Sequence, residues 1–328
     1  MGTPEFGAII LEKLINSDYK PILIVTAPDK PVGRKQTITP PPVKIIAERY
    51  GIQVLQPEKI RNLELEAEFR DSETRRKKKA ELSSRIKNLK PDLIIVAAYS
   101  QIIPKEILEI PKYGCLNIHP SLLPRWRGSS PIQYAILYGD KKTGVTIILM
   151  DEKIDHGPII AQSSVKIEKN EKSRSLHDKL ANLGADLILE TIWKWRKGLI
   201  KPRPQDEKSA TFSKILIKES GKINWKKTAD EIEREIRAFN LWPGSFTFWQ
   251  KDSQLLRIKI LKARVYKKAD HFLSYPIGKT LVVPQNEIGV QCRDNFLVIE
   301  KLQLEGKKET FSDDFIRGHP EFIGTILK

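Results

Sequence analysis

Cysteine is scarce in this chain, and long apolar runs are missing from it. Cys115 and Cys292 are the only cysteines among 328 residues, which is too few for a disulfide framework, and they lack the spacing of a metal site. No stretch contains the roughly 18 consecutive apolar residues that a membrane-spanning helix needs. The segment Met1–Phe6 lacks the basic start and apolar stretch of a secretory signal. These absences favour a protein of the reducing cytoplasm, with no membrane partner.

Charge, in contrast, is abundant and unbalanced. Lys and Arg number 57 against 41 Asp and Glu, so the formal net charge is +16 at pH 7. The excess is spread along the chain, with a net charge of +9 over residues 1–200 and +7 over residues 201–328. Such a balance is typical of proteins that bind a polyanion. Lysines placed on solvated faces give the same composition, so charge alone does not decide.

Two domains with different patterns are predicted, since 328 residues exceed what one domain usually needs. In residues 1–197, short apolar runs alternate with helical periodicity, which predicts an α/β domain with a doubly wound, mostly parallel, Rossmann-like sheet. Residues 198–215 are polar and proline-rich and are predicted to be a linker. Residues 216–328 are predicted to form a small OB-like β-barrel, because one helical stretch precedes five short strand-like runs. These runs are Ser245–Trp249, Leu255–Leu261, Thr280–Pro284, Ile288–Cys292 and Phe296–Leu302.

The residues best suited to chemistry lie at the ends of two predicted strands. Asn117 and His119 are two apart, so their side chains share a face, and open α/β sheets bind ligands at such strand ends. The amide can hold an oxyanion, and the imidazole can donate or accept a proton. Asp155 follows another apolar strand and can reach the same crevice, where it would orient His119 and raise its pKa. Each residue alone is more often structural, so the case depends on all three together.

The segment Leu116–Gly128, with Asp155–Gly157, resembles the folate-dependent formyltransferases. Further similar segments lie along nearly the whole chain: Met1–Phe6, Ala27–Arg34, Ala97–Pro104 and Arg237–Gly244. The resemblance implies that 10-formyltetrahydrofolate is the formyl donor and that no metal is needed. It also implies that the acceptor is the amino group of methionyl initiator tRNA, in translation initiation.

The resemblance assigns site residues as well. It implies that Asn117, His119 and Asp155 are catalytic. In the basic loop that follows Ala27, it favours contact of Arg34 and Lys35 with the tRNA. It implies a folate site formed by Ala97, Tyr99, Ser121, Leu122, Leu123 and Pro124.

Two departures from the family pattern carry expectations of their own. Family members have an apolar strand immediately before Gly-Thr-Pro, whereas the given sequence begins at Met1. We therefore expect Met1–Pro4 to lie at the C-terminal end of a strand position beside a gap in the sheet, and the native gene product to begin upstream with an apolar, β-branched stretch. Ala67–Lys87 is longer than the usual connection and indicates an insertion. Its basic run Arg75–Lys79 is predicted to be a solvated face or a mobile loop.

Two other functions fit part of the pattern. A formyltransferase acting on a small amine, such as an amino sugar nucleotide or glycinamide ribonucleotide, would use the same three residues, but would need neither a basic linker nor a basic barrel. A nucleic-acid-binding protein that used the barrel alone would not need Asn117, His119 and Asp155 together. We therefore expect a monomeric, cytoplasmic formyltransferase that acts on tRNA.

Overall fold

The structure is a computed structural model that describes residues 1–33, 35–58, 60, 82–267, 275–284 and 287–328. The chain divides into two compact units. The N-terminal unit comprises residues 1–131, 142–166 and 177–213, and the C-terminal unit comprises residues 132–141, 167–176 and 214–328. Arg34 and the basic run Arg75–Lys79 lie outside the described residues, as does most of the predicted insertion.

Helices and strands follow one another along the described parts of the chain. The helices are α1 (Glu5–Ile15), α2 (Pro42–Arg49), α3 (including 82–88), α4 (Lys105–Leu108), α5 (Pro131–Leu137), α6 (Ser173–Arg196), α7 (Ala229–Ala238) and α8 (Ser312–Gly318). The strands up to residue 213 are β1 (Leu23–Val25), β2 (Lys30–Val32), β3 (Thr37–Thr39), β4 (Gln53–Leu55), β5 (Ile94–Val96), β6 (Cys115–His119), β7 (Arg127–Gly128), β8 (Lys142–Leu149), β9 (Ile159–Lys166) and β10 (Phe212–Ser213). The later strands are β11 (Ser245–Lys251), β12 (Gln254–Tyr266), β13 (Thr280–Val283), β14 (Glu287–Gln291), β15 (Phe296–Leu304) and β16 (Glu309–Phe311).

Helices cover both faces of the N-terminal unit's strands. Along β1, Ile24 packs in a cluster with residues of α1 and α2, whereas the next residue, Val25, packs with residues of α3 and α4. Successive side chains of a strand point to opposite faces, so an uninterrupted apolar run is what a strand covered on both sides requires. The predicted α/β architecture is confirmed in this respect.

Strand direction in the N-terminal unit is mixed rather than mostly parallel. β1 pairs with β4 and β5 pairs with β6 in parallel, but β8 runs antiparallel to both β6 and β9. The connection from Leu149 to Ile159 contains no helix among its residues. A parallel crossover needs a dozen or more residues, usually with a helix, so this short connection forces β9 to return antiparallel. The expectation of a mostly parallel sheet was wrong for these strands.

A gap separates β1 from β5, as expected from the sequence. The two strands are not paired with each other, and a cavity of about 290 Å³ between them is lined by apolar residues that include Ile10 and Leu14 of α1. Met1 and Gly2 span the gap at the C-terminal ends of the strands. The Gly2 N–H donates to Val25 O at 3.1 Å, and the Ala97 N–H donates to Met1 O at 2.9 Å.

The C-terminal unit contains an antiparallel sheet with the strand order β11–β12–β15–β14–β13, and β16 adds to β15. All five strands predicted from the sequence are present. Helix α7 begins with a capping box: the Thr228 side chain accepts from the Glu231 N–H, and the Glu231 side chain accepts from the Thr228 N–H. Ile232 and Ile236, one turn apart, are buried in the core of this unit.

The last residues of the chain pair with both outer strands of this sheet. Lys328 exchanges two backbone hydrogen bonds with Phe248 of β11, at 2.9 and 3.0 Å. On the other side, Leu327 N–H donates to Gly278 O at 2.9 Å, and Thr280 N–H of β13 donates to Thr325 O at 2.9 Å. Across the part of the chain that the structure describes, none of the helices has the length and apolar character needed to cross a membrane.

Candidate active site

Strand β6 holds two of the predicted site residues at the centre of the four-stranded sheet. Asn117 is in register with Val96 of β5 and Ile148 of β8, and His119 is in register with Thr146 of β8. The alternating residues Leu116 and Ile118 are fully buried. Asn117 and His119 therefore present their polar side chains on the face opposite these two apolar residues, and His119 is only 4% exposed.

Asp155 reaches both of these side chains from the turn between β8 and β9. One carboxylate oxygen, Oδ1, accepts a hydrogen bond from Asn117 Nδ2 at 3.1 Å and lies 3.4 Å from His119 Nδ1. The turn is tight: a Cβ at Gly157 would lie 1.9 Å from the carbonyl oxygen of Leu149, so only glycine fits there. The structure thus brings Asn117, His119 and Asp155 together in one cluster.

Two main-chain groups complete this cluster, and neither was predicted from the sequence. The other carboxylate oxygen of Asp155, Oδ2, accepts from the Gly128 N–H at 2.8 Å. The Nε2 of His119 lies 2.9 Å from the carbonyl oxygen of Trp126. A carbonyl can only accept, so Nε2 carries a hydrogen. The two ring nitrogens of His119 thus lie against the Trp126 carbonyl and the Asp155 carboxylate.

Backbone geometry at the site is unusual for the residues concerned. Asp155 has φ +49°, Trp126 has φ +62° and Gly128 has φ +101°. A non-glycine residue in this region costs on the order of 1–3 kcal/mol and persists only where the surroundings hold it. The hydrogen bonds that Asp155 accepts, and the one between His119 and the Trp126 carbonyl, help to keep the backbone in these conformations. Glycine is needed at 128, because a Cβ there would lie 2.5 Å from Ser213 O.

The loop that follows β6, residues 120–126, is fixed by side chains on β8 and β9. We call it the site loop. Thr146 Oγ1 donates to Ser121 O at 2.6 Å and accepts from the Leu123 N–H at 3.0 Å. Gln162 Nε2 donates to Leu123 O at 2.8 Å. Ser121 and Leu123 are buried, whereas Leu122 and Pro124 are half-buried. The four predicted folate residues of this loop therefore lie on a rigid segment directly after His119.

The other two predicted folate residues follow the neighbouring strand β5. Ala97 is buried and comes directly after Val96, the register partner of Asn117. Tyr99 is half-buried, and its hydroxyl finds no hydrogen-bond partner among the described residues. Burial raises the pKa of Tyr99 well above its ordinary value, so the hydroxyl stays protonated. Both residues lie at the same edge of the sheet as His119.

One of the two predicted tRNA-contacting residues, Lys35, lies on a separate feature, the hairpin formed by β2 and β3. Lys35 is exposed in its turn, and Arg34 lies outside the described residues. Both strands are exposed throughout. At the base, Asp29 accepts from Gln56 Nε2 at 2.7 Å and from Lys44 Nζ at 2.8 Å. These hydrogen bonds, that from Gln56 first, lower the pKa of Asp29 below 3.8.

Metal ligands are not grouped in the described part of the chain. No three His, Cys, Asp or Glu side chains of those residues come close enough together to hold an ion. Cys115 and Cys292 are both buried free thiols. The groups assembled at the site are instead an amide, an imidazole, a carboxylate and main-chain dipoles, which suit proton transfer and the stabilisation of an oxyanion.

Comparison with known proteins agrees with this chemistry. A family model described as "Formyl transferase" matches residues 1–192, and one described as "Formyl transferase, C-terminal domain" matches residues 215–320. The chain is 40% identical over 328 residues to a methionyl-tRNA formyltransferase of Caldanaerobacter subterraneus subsp. tengcongensis, covering 100% of this chain and 98% of that protein. It is 42% identical over 328 residues to the methionyl-tRNA formyltransferase of Bacillus velezensis, covering 100% and 96%.

A solved structure shares the fold at lower identity. It is that of WlaRD, described as a sugar 3N-formyl transferase in the presence of dTDP and 5-N-formyl-THF. The TM-score is 0.60 at 21% identity, covering 94% of this chain and 97% of that one. Since both family models and full-length relatives match, this chain belongs to the formyl transferase family.

Proposed function

We propose that this chain is a methionyl-tRNA formyltransferase. It transfers the formyl group of 10-formyltetrahydrofolate to the amino group of methionyl initiator tRNA, for translation initiation. The observation that carries the proposal is the convergence of Asn117, His119 and Asp155 at one carboxylate oxygen. Relatives of about 40% identity over the full chain carry this enzyme's name.

The reaction requires one bond to form and one to break at the formyl carbon. The amine nitrogen attacks this carbon, and a tetrahedral intermediate with a negative oxygen forms. When the intermediate collapses, the bond to N10 breaks and N10 receives a proton, so one proton passes in total from the amine to N10. The site must therefore stabilise the oxyanion and relay a proton, which are the tasks that its groups suit.

Asn117 and His119 are the proposed donors to the oxyanion. The amide of Asn117 has two N–H groups and uses one of them on Asp155, so the second remains available for the substrate. His119 offers its Nε2–H, which the substrate oxygen would share with the Trp126 carbonyl, and Asp155 fixes the ring's orientation from the Nδ1 side. A single preorganised donor of this kind contributes roughly 10²–10³-fold to turnover.

The proposed folate pocket lies at the C-terminal edge of β5 and β6. Ser121–Pro124 supply a wall that β8 and β9 hold in place. Ala97 and Tyr99 supply the neighbouring part, where the unpartnered Tyr99 hydroxyl would meet a polar atom of the ligand. A buried hydroxyl without a partner is costly, so a ligand atom that satisfies it adds to binding.

The proposed tRNA contacts are Lys35 of the hairpin, its sequence neighbour Arg34, and basic residues elsewhere in the chain, whose net charge is +16. We also propose that residues 216–328 form an OB-like barrel, with residues 1–197 as the catalytic domain and 198–215 as the linker. Closure of the barrel is supported by the hydrogen bonds of residues 324–328 to both outer strands. A monomer acting in the cytoplasm, where initiator tRNA is used, completes the proposal.

The test compares two kinds of formyl acceptor. Purified protein is incubated with 10-formyltetrahydrofolate and either charged initiator tRNA or an amino sugar nucleotide, and the formylated product is measured. We expect product with the tRNA only. Formylation of the small amine alone would contradict the proposal. Asn117→Ala should abolish most of the turnover, whereas Asn182→Ala, which removes an exposed amide on α6, should not.

A further inference from the structure

One residue of the proposed linker contacts the active-site turn directly. Gln205 Nε2 donates to the carbonyl oxygen of Asp155 at 2.8 Å and to that of Gly157 at 2.8 Å. Each hydrogen of one amide group therefore holds one carbonyl of the turn that carries Asp155. This turn contains the positive φ of Asp155, so it is a backbone segment that needs such support.

The other end of the same amide holds a buried arginine. Gln205 Oε1 accepts from Arg127 Nε at 3.0 Å and from Arg127 Nη2 at 2.9 Å. Arg127 is only 2% exposed, and its guanidinium also donates to Glu207, at 2.9 and 2.6 Å. The arginine hydrogen bonds lower the pKa of Glu207, which therefore stays ionised. The Gln205 amide thus has every donor and its acceptor satisfied, which also fixes its orientation.

Arg127 stands between the two main-chain groups that contact the catalytic cluster. The residue before it, Trp126, supplies the carbonyl at His119, and the residue after it, Gly128, supplies the N–H at Asp155. An anchor on the Arg127 side chain therefore fixes both groups. Gln205 is therefore hydrogen-bonded both to the turn that carries Asp155 and, through the Arg127 side chain, to the segment whose main chain contacts Asp155 and His119.

The backbone around Gln205 is fixed in place as well. Arg203 exchanges two hydrogen bonds with Ile159 of β9, at 2.7 and 2.9 Å. Thr211 O accepts from the Arg127 N–H at 2.9 Å, and Thr211 Oγ1 accepts from the Trp126 N–H at 2.9 Å. Residues 203–211 therefore follow the outside of the active site closely, and the Gln205 side chain has a rigid base.

We propose that Gln205 is a positioning residue of the active site, which sets the place of the Asp155 carboxylate and of the Trp126 and Gly128 main-chain groups. The inference rests on the proposed function of the cluster. Gln205 touches no reacting atom, so it acts on turnover rather than on substrate affinity. A glutamine is needed because the position requires two donors toward carbonyls and one acceptor toward a guanidinium, and no other side chain of that length offers both.

The experiment compares the unaltered enzyme with Gln205→Ala, Gln205→Glu and Gln53→Ala. Gln53 is an exposed residue of β4 and serves as the matched control. For Gln205→Ala we expect kcat to fall roughly 10–100-fold, since a misplacement of about 1 Å can cost about 10²-fold. The KM values for donor and tRNA should stay within about twofold, as should the equilibrium binding of tetrahydrofolate. The control should match the unaltered enzyme.

The glutamate variant separates positioning from a merely structural role. Gln205→Glu keeps the size of the side chain and an acceptor for Arg127, but its carboxyl, whose ordinary pKa is about 4.3, is ionised across the assay range and offers no donor to the two turn carbonyls. Its kcat should therefore fall at least as far as that of Gln205→Ala, with the KM values again unchanged. If Gln205→Ala melts below the assay temperature, this variant decides the question, and a near-normal kcat overturns the proposal.

A double variant supplies the last check. In an Asp155→Ala background, Gln205→Ala should cost little further turnover, because residues that act as a unit are not additive. Losses that multiply would overturn the proposal, as would a folded Gln205→Ala enzyme with near-normal kcat. An unaltered enzyme that fails to formylate the tRNA would instead contradict the proposed function.

Discussion

The site loop and the β2–β3 hairpin are both loops of the N-terminal unit, but they are held very differently. The site loop is partly buried, and its backbone is hydrogen-bonded by the buried Thr146 of β8 and the half-buried Gln162 of β9. The hairpin has exposed strands and is anchored at its base by Asp29. Chemistry at a carbonyl carbon needs groups fixed to within a fraction of an ångström, whereas contact with a phosphate backbone tolerates adaptation. The difference fits the tasks proposed for the two loops.

The largest effect expected is that of His119→Ala. The variant removes both ring nitrogens from the cluster, and an acid–base group typically contributes about 10²–10⁴-fold to rate. We expect kcat to fall by this factor in a single-turnover assay, with folate binding retained. His177→Ala, which removes an imidazole that packs on Phe6 outside the cluster, is the control. A near-normal rate for His119→Ala would contradict the assigned role.

Thr146→Val sharpens the comparison between the two loops. The change keeps the shape of the side chain but removes its hydroxyl. Ser121 O, the Leu123 N–H and Gln162 Nε2 therefore each lose one hydrogen bond. We expect the free energy of unfolding to fall by about 1–3 kcal/mol in urea denaturation. Thr39→Val removes an exposed hydroxyl of the hairpin and should change stability by less than about 0.5 kcal/mol. Equal effects would show that the site loop is no better fixed than the hairpin.

Asp29→Asn tests whether the hairpin depends on its anchor. The folded-state pKa of Asp29 is below 3.8, so its ionised form stabilises the fold above the unfolded pKa. That contribution is lost as pH falls through the folded-state pKa. The variant lacks this carboxylate, so its free energy of unfolding should fall less steeply below about pH 4 than that of the unaltered enzyme. At neutral pH, KM for tRNA should rise several-fold while folate binding is unchanged. Weaker binding of both tRNA and folate would mean that the anchor supports the folate pocket.

The smallest effect expected is that of Lys35→Ala. Loss of one phosphate contact should raise KM for tRNA a few-fold and lower the salt slope of tRNA binding by about 1. Turnover at saturating tRNA should be unchanged. Lys13→Ala, on α1, removes an exposed lysine that pairs with Asp186 instead, and it should leave the slope unchanged. An unaltered slope for Lys35→Ala would remove this residue from the proposed tRNA contacts.

The sequence was most informative where chemistry depends on side chains at strand ends. Asn117 and His119 could be placed because the alternation of apolar residues in β6 sets their common face, and Asp155 because it follows the apolar run of β8. Trp126 and Gly128 contribute main-chain groups, which leave no residue-type signature. Gln205 lies in a polar, proline-rich stretch 50 residues after Asp155, and only the folded chain brings the two together.

Strand direction was the main error in the predicted fold, and its cause is local. The apolar run of β8 looks the same whether its neighbours run parallel or antiparallel, because its residues are buried in either case. The length of the connection between Leu149 and Ile159 carried the missing information. In the C-terminal unit, by comparison, strands separated by short turns could run only antiparallel.

The pairing of residues 324–328 has a consequence for handling the protein. These few residues cover the edges of two strands at once, through Phe248 on one side and Gly278 and Thr280 on the other. Deletion of residues 324–328 would expose N–H and C=O groups of both strands together. Bare edges of this kind pair readily with those of neighbouring molecules. A shortened chain would therefore aggregate even if its catalytic cluster remained intact.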